Sequence, residues 1–258
     1  PALMGTRVMR SRSLRLLSML VIPFSLCSAR LQVFLFLIGA LFSARQAGLV
    51  LFSLYLLSFA AALFTALVFR RHFRSNEPFI LELPPYRLPT PRQIFLRAWH
   101  EVRNFLARAT QFIVAGVVLV WLMTHIPFSE PPAGAHTLAG WVGHALSPVL
   151  APLGIDDKLS VALIFGFVAK EIVIGSLAVI YGQEGQALSG LIAHQLDWVK
   201  AYSFMVFTLF YTPCLSAIAT LRAESRSRSY TLLAVGWSLA LAWLASFVFY
   251  QTARALGY

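Results

Sequence analysis

The sequence predicts an all-α, polytopic membrane protein. Of its 258 residues, 59% are hydrophobic and only 12% are charged, a composition typical of membrane-embedded chains. The apolar residues are gathered in runs, several of which are close to the ~20 residues that an α-helix needs to cross a bilayer. Short basic loops between the runs carry most of the formal net charge of +11. We therefore expect about six spanning or partly spanning helices.

Charge and cysteine usage exclude several classes of protein. Basic residues in short loops follow the positive-inside pattern, and no basic-aromatic platform lies outside the apolar runs, so nucleic acid is not an expected partner. The two cysteines, Cys27 and Cys214, form neither a disulfide framework nor a zinc motif. No G-x-x-x-x-G-K-[ST] loop occurs, so we expect no nucleotide hydrolysis by this chain. Because the sequence begins at Pro1 without Met, we interpret it as a piece of a longer protein.

The first apolar stretch is interrupted. Residues 1–15 are rich in arginine and predict a cytoplasmic lead-in. The run from Leu14 to Leu26 is too short to span and contains Pro23, which breaks helices. Cys27 and Ser28 follow before the apolar run resumes at Leu31.

The next two segments differ in character. Ala47 to Phe69 is uninterrupted and predicts a spanning helix. Residues 75–93 are rich in proline and predict a loop, although Thr90-Pro91 is a typical helix start. The apolar and arginine residues that follow, up to 108, recur at helical spacing. They indicate either a basic amphipathic helix in the membrane interface or a solvated extension of the next span.

Thr110 to Ile126 predicts the next span, and residues 127–158 carry few basic residues, which predicts a periplasmic location. Within them, Leu138 to Leu153 is a candidate re-entrant or interfacial piece. Three histidines in this region could capture a metal at an entrance, although scattered loop histidines are usually only solvated. They are His125, His136 and His144.

Leu159 to Tyr181 is apolar but carries Lys170 and Glu171 at its centre. A charge at mid-membrane costs about 2.5–3.5 kcal/mol on insertion scales, so both side chains should face protein or water. Gly166 and Gly175 allow close backbone approach or a break nearby. Two interpretations stay open, an ion-pair network that holds helices together and a place for Glu171 beside a cation path.

Ser203 to Leu221 is long enough to span but contains Pro213 and Cys214. Proline removes a backbone donor and pushes Thr212 away from helical angles, so freed carbonyls would lie beside the Cys214 thiol and the Ser216 hydroxyl. Irregular backbone at this depth is tolerated only inside protein or along a cavity. A kinked helix with a packed cysteine is the alternative. Pro23 and Cys27 interrupt the first stretch in a comparable way, as in an internal repeat.

The last span is predicted at Tyr230 to Tyr250, after a basic segment at 222–229. Residues 70–108 are also basic, so both segments should be cytoplasmic. Two cytoplasmic segments must be separated by an even number of membrane crossings, but three long apolar runs lie between these two. One further crossing, or one segment that enters and turns back, is therefore required.

Several motifs now carry a resemblance. FGFVAKEIVIGSLAVIYG (165–182) and YTPCLSAIATLRAE (211–224) resemble the second gate region of bacterial ferrous iron transport protein B. PALMGTR (1–7) with IPFSLCSARL (22–31) resembles its first gate region, and ELPPYRLP (82–89) the loop between them. The resemblance covers essentially the whole chain. Leu26 and Gln32 stand where the family usually has proline, which leaves the local bend at Cys27 open.

This resemblance implies two gate-type half-repeats with broken or re-entrant helices, in a multi-pass protein of the bacterial inner membrane. It implies Fe²⁺ as the transported substrate, with GTP and Mg²⁺ only in a missing N-terminal GTPase domain. The bilayer, Fe²⁺, that domain and a small cytosolic protein A are the implied partners, and homo-oligomerisation stays open. The implied division is a first gate region with the following helix (1–69), a cytoplasmic loop with an amphipathic helix (70–108), and a second gate region with the last helix (109–258).

Fe²⁺ accepts thiolate, carboxylate and carbonyl ligands. Cys27, Cys214 and Glu171 are therefore the predicted metal ligands. The predicted gate and path residues are Pro23, Ser28, Lys170, Thr212, Pro213 and Ser216. Two other functions stay open, a gate-type transporter of an organic solute such as a nucleoside and a membrane scaffold or sensor subunit that transports nothing.

Overall fold

The computed structural model describes residues 2–9, 11–73, 90–127, 136–183, 185–211 and 213–257, and every regular element in them is helical. The α-helices are α1 (Ala2–Gly5), α2 (Arg12–Val21), α3 (Ser28–Leu41), α4 (Ala44–Phe69), α5 (Pro91–His125), α6 (Leu138–Leu150), α7 (Asp157–Val168), α8 (Ile172–Tyr181), α9 (Gly185–Gln195), α10 (Trp198–Phe210), α11 (Leu215–Ser225) and α12 (Arg228–Ala255). Short 3-10 helices cover Thr6–Val8, Ile22–Phe24 and Ala151–Leu153. The predicted all-α fold is confirmed. Most of the loop predicted at 75–93 lies outside the described residues.

Within the described residues, four segments are long and apolar enough to cross a membrane: Arg12–Leu41, Ala44–Phe69, Trp198–Ser225 and Arg228–Ala255. Shorter apolar helices cover Leu138–Leu153 and Ile172–Tyr181. The chain is therefore a multi-pass membrane protein. Many large apolar side chains of α4 are exposed, among them Leu49, Phe52 and Phe59, as expected of a surface that faces lipid.

Helix α5 joins two segments that the sequence analysis treated separately. It begins at Pro91 after the extended residue Thr90, as predicted, and continues without a break to His125. The basic segment up to 108 is thus an extension of the next helix rather than a separate interfacial helix. The predicted domain boundary between 108 and 109 lies inside α5, and the three-part division stays a prediction.

Both interrupted apolar stretches are broken helices rather than kinked ones. The first consists of α2, the 3-10 turn Ile22–Phe24, extended residues up to Cys27, and α3. The bend is present although Leu26 and Gln32 replace the prolines expected there. The second consists of α10, a non-helical stretch from Tyr211 to Cys214, and α11.

The two broken helices run in opposite directions. Arg15, near the start of α2, pairs with Glu224, near the end of α11. We call this the arginine-rich end of the molecule. Phe42, which follows α3, lines the same cavity as Trp198, the first residue of α10, and we call this the far end. The first broken helix therefore runs towards the far end, and the second returns from it.

A long helix follows each broken helix and packs against it. Helix α4 contacts α2 and α3, and α12 contacts α10 and α11. The two long helices also meet, because the indole Nε1 of Trp237 donates to Oγ1 of Thr65 over 3.0 Å. The same order of elements thus occurs twice. A true half-repeat relation between them stays a prediction.

Helices α7 and α8 form a re-entrant hairpin. The Nζ atom of Lys158, at the start of α7, lies 4.6 Å from the ring centroid of Tyr181, at the end of α8. The segment therefore enters and leaves at one end of the molecule. That end is the far end, because Gly154, just before α7, lies against Tyr250 near the end of α12. A segment that turns back resolves the odd number of apolar runs, as the sequence required.

The core lies between the broken helices and the hairpin. In α10 all but three of the residues from Trp198 to Phe210 are buried. Phe34 of α3, Leu159 and Leu163 of α7, and Leu177 of α8 belong to the same buried cluster as Phe204 of α10. The end of α10 and Lys170 at the hairpin tip are thereby placed inside the protein.

Candidate functional site

An arginine donates hydrogen bonds to the backbone carbonyls of the first break. Cys27 is the N-cap of α3 and has extended backbone angles, φ −98° and ψ 162°. Arg30, one turn later, is buried with 3% exposure. Its Nη1 atom donates to the carbonyl oxygens of Pro23 and Ser25 over 2.6 and 3.1 Å. The carbonyls freed by the break are therefore occupied by a fixed cation.

The second break, like the first, passes from helix into extended backbone. Helix α10 ends at Phe210, and Tyr211 is extended with ψ 164°. Cys214 is the N-cap of α11, and its Sγ lies 3.2 Å from Oγ of Ser216. Pro213 is buried. The predicted path residue Thr212 lies outside the described residues.

Lys170 reaches the second break from the tip of the hairpin. Its Nζ donates to the Thr208 carbonyl oxygen over 3.2 Å and lies 4.3 Å from the ring centroid of Tyr211. The side chain is buried. Gly166 permits this approach, because a Cβ atom there would lie 2.6 Å from the Tyr211 hydroxyl and 2.5 Å from a Val173 methyl group. A cation–π contact and a carbonyl acceptor are the partners that a lysine finds away from water.

The two breaks face each other. The rings of Phe24 and Phe210, one from each break, lie in edge contact with centroids 6.1 Å apart. Arg30 follows Cys27 by one turn, and Lys170 contacts Tyr211, three residues before Cys214. Two thiols and two basic side chains thus belong to the same pair of facing breaks.

Not every polar atom in this region is satisfied. Arg30 Nε and Thr208 Oγ1 are buried and lack a hydrogen-bond partner among the described residues. Buried polar groups are normally bonded, and exceptions often mark a place for water or a ligand. The region between the breaks therefore contains buried hydrogen-bonding atoms that no described protein group satisfies.

Glu171 is placed differently from the two cysteines. It is the N-cap of α8 and is exposed, whereas its neighbour Lys170 is buried. No group of three or more His, Cys, Asp or Glu side chains among the described residues is arranged to hold a metal ion. The structure thus gathers the two cysteines near the breaks without assembling them and Glu171 into one ligand cluster.

The ion-pair network that was the alternative interpretation of Lys170 and Glu171 is not found in the described part of the chain. The salt bridges between described residues involve other side chains, and neither Lys170 nor Glu171 belongs to one. Ser28 is exposed beside Cys27, and Pro23 is half-buried.

The histidines lie apart from this region. His144 Nδ1 is 3.3 Å from Asp157 Oδ2 at the far end. The hydroxyl of Ser147 and the His144 ring hold the pKa of the Asp157 carboxyl below its usual value. His125 contacts the Trp121 carbonyl, and His136 is exposed. No described histidine belongs to a three-residue metal group.

Sequence reasoning did not assign Arg30, Thr208 or Tyr211 to the site. Arg30 had a readable signal, because an arginine stands directly before an apolar run at membrane depth, as Lys170 does within one. Thr208 and Tyr211 had none, because Thr208 acts through its main-chain carbonyl and Tyr211 through its ring.

Comparison with known proteins agrees with this architecture. Residues 106–228 match the Gate family model, described as "Nucleoside recognition", and residues 51–100 match the model "Ferrous iron transport protein B C terminus". The facing broken helices and these matches define the class as a gate-type membrane domain. The chain belongs to the ferrous iron transport protein B family and corresponds to its C-terminal membrane part.

The curated relatives are proteins called "Fe(2+) transporter FeoB". The Synechocystis protein is 49% identical over 261 residues, covering 100% of this chain and 42% of the relative. The Methanocaldococcus jannaschii protein is 38% identical, and the match covers 96% of this chain and 38% of the relative. A Porphyromonas gingivalis relative, 32% identical, is a fusion of Fe(2+) transport protein A with FeoB; the match covers 97% of this chain and 36% of the relative. No solved structure matches the chain significantly.

Proposed function

We propose that this chain forms the membrane path of a ferrous iron uptake transporter, and that Fe²⁺ passes between the two breaks. The observation that carries the proposal is the placement of Cys27 and Cys214. Each is the N-cap of the second half of a broken helix, and the two breaks are in contact through the rings of Phe24 and Phe210. The names of the relatives supply the identity of the ion.

The chemistry of the region favours sulfur ligation. Arg30 and Lys170 donate to the carbonyl oxygens of Pro23, Ser25 and Thr208, so a metal ion at these oxygens would have to compete with two basic side chains. The thiols of Cys27 and Cys214 remain, and Fe²⁺ accepts sulfur ligands. A thiol must lose its proton to bind, and the metal itself promotes that loss.

Polar neighbours complete this path. Ser216 lies beside Cys214 and Ser28 follows Cys27, so hydroxyls or water can supply oxygen ligands. Glu171, exposed at the hairpin tip, would bind the ion transiently before or after the sulfurs rather than together with them.

The wider assembly follows from the family. We propose that the protein lies in the bacterial inner membrane with its arginine-rich end in the cytoplasm. GTP and Mg²⁺ would act in a domain outside this chain, and the chain itself would hydrolyse no nucleotide and hold no resident cofactor. The fusion relative supports protein A as a partner. Homo-oligomerisation remains open.

The test is uptake of radioactive iron by proteoliposomes that contain the full-length protein. Cys27→Ser and Cys214→Ser each keep the side-chain size and remove the soft ligand, so we expect uptake to fall at least about tenfold in the double variant. Membrane abundance should stay near normal, because neither thiol is fully buried. Unchanged uptake by the double variant would remove thiol ligation from the mechanism.

A second candidate function has its own observation, since the Gate model is described as nucleoside recognition. Uridine uptake is measured in the same proteoliposomes. Saturable uridine uptake without iron uptake would establish an organic-solute transporter instead. Uptake of neither solute by the wild-type protein would favour the scaffold or sensor interpretation.

A further inference from the structure

A basic pocket lies at the arginine-rich end, away from both breaks. It is a cavity of about 570 Å³, and its lining includes Arg7, Arg12, Arg15, Arg226 and Glu224. Four arginines and one glutamate leave an excess of three positive charges at this wall. The path for iron makes no use of this pocket.

One carboxylate cannot satisfy these arginines. Arg7 donates to Oε1 of Glu224 through Nε over 2.8 Å and also through Nη2, while Nη2 of Arg15 donates to Oε2 over 2.6 Å. Both oxygens of the single glutamate are thereby engaged. Arg12 and Arg226 are exposed and have no side-chain acceptor in the described part of the chain. Arg15 Nε is buried and unpartnered there as well.

The backbone holds Arg226 in a conformation that is unusual for its residue type. Its φ of +52° lies in the left-handed region, which disfavours side chains with a Cβ atom. The turn is tied by a bond of 3.2 Å from the Arg226 N–H to the Arg222 carbonyl. The hydroxyl of Ser227 caps the next helix. This tight connection between α11 and α12 fixes Arg226 at the rim of the pocket.

We propose that this pocket binds a phosphate group, and its position favours the headgroup of an anionic phospholipid. Arginine forks match phosphate oxygens, and several donors here lack an acceptor. The candidate spans that include α2 and α12 begin at Arg12 and Arg228, beside the pocket, which favours a position near the lipid headgroups. Val8 and Leu14 nearby are 87% and 48% exposed, so they offer apolar surface to an acyl chain.

The test uses the full-length protein in detergent, titrated with phosphatidylglycerol or with zwitterionic phosphatidylcholine, with bound lipid counted by native mass spectrometry. The variant combines Arg12→Gln with Arg226→Asn, since asparagine tolerates left-handed angles and the Glu224 network is untouched. We expect phosphatidylglycerol binding to weaken about tenfold or more. Arg228→Gln, an exposed arginine outside the pocket, is the matched control and should bind like the wild type.

A second arm distinguishes the sources of phosphate. Inorganic pyrophosphate is added to the wild type and to the double variant, and its binding is followed by calorimetry. Binding of pyrophosphate that the double variant loses, without preference for phosphatidylglycerol, would assign the pocket to soluble phosphates. The proposal would be overturned if the wild type and the double variant bound phosphatidylglycerol equally and also bound pyrophosphate equally. It would also be overturned if the wild type bound no pyrophosphate and did not prefer phosphatidylglycerol to phosphatidylcholine.

Discussion

Arg30 and Lys170 are buried basic side chains bonded to main-chain carbonyls rather than to carboxylates. A charged side chain away from water is stable only when its donors find acceptors. Here the acceptors are the Pro23 and Ser25 carbonyls at the first break and the Thr208 carbonyl in the last turn of α10. Each buried basic side chain is therefore tied to the backbone at or next to a break.

Truncating Lys170 should destabilise the protein much more than truncating its neighbour. Lys170→Ala removes a buried hydrogen bond to the Thr208 carbonyl and the contact with the Tyr211 ring, which costs about 1–3 kcal/mol. Glu171→Ala, at an exposed position, should change stability by less than about 0.5 kcal/mol. Thermal unfolding in detergent, followed by fluorescence size-exclusion chromatography, measures both variants. Equal melting temperatures would contradict this assignment of roles.

At this scale the sequence indicated which residues are unusual but not what they contact. A charge or a cysteine inside an apolar run was visible for Lys170, Glu171, Cys27 and Cys214. The separation of Glu171 from Lys170, one exposed and the other buried, depends on how the hairpin tip packs. That packing involves residues distant in sequence, such as Tyr211.

The re-entrant hairpin depends on close packing between its own helices and α10. Gly166 lies where α7, α8 and Tyr211 meet, and a Cβ atom there would clash with Val173 and with the Tyr211 hydroxyl. Gly175 lies in α8, and a Cβ atom added to it would meet no other atom within 4 Å. The two glycines that the sequence singled out thus have different roles.

Gly166→Ala should destabilise the protein by about 1–3 kcal/mol, because an added methyl group in a tightly packed contact forces backbone shifts. Gly175→Ala is the matched control. It should be neutral or slightly stabilising, since alanine favours helix by up to about 1 kcal/mol. Chemical unfolding in detergent gives both values. A larger loss for Gly175→Ala would refute the packing described for the hairpin.

Elements were predicted well where the signal was local. Prolines and charges marked the breaks, and Thr90-Pro91 marked the start of α5. The continuity of α5 was left open because arginines on an extended helix and arginines on an interfacial helix give the same pattern. Helix α9 was not predicted, because residues 182–200 mix polar and apolar side chains without a long apolar run. It is positioned by two buried apolar residues, Leu188 and Ile192.

The whole molecule has two chemically different ends. The arginine-rich end carries the Glu224 network and the basic pocket, and the far end carries the hairpin base and α9. The parity of the apolar runs predicted either one further crossing or one segment that enters and turns back. It could not tell which one, because Leu138–Leu153 and the interrupted stretches satisfied the count equally well.

The proposed orientation, with the arginine-rich end in the cytoplasm, predicts a labelling pattern in intact cells. In a Cys27→Ser, Cys214→Ser background, a cysteine at the exposed Gln186 of α9 should react with an impermeant maleimide added outside. A cysteine at the exposed Ser229 of α12 should react only after the membrane is opened. The reverse pattern would show that the protein is inserted with the opposite orientation.

The opposed directions of the broken helices have an electrical consequence. The helix ends at the breaks comprise two N-termini, those of α3 and α11, and two C-terminal ends, that of α10 and that of the 3-10 turn after α2. The partial charges of about +0.5 and −0.5 that such ends carry offset one another. Each C-terminal end lies beside a basic side chain, Arg30 or Lys170, and each N-terminus is capped by a cysteine. On the proposed path, these four side chains rather than the helix ends would set the electrostatic field met by an ion, and replacing any one of them would change that field.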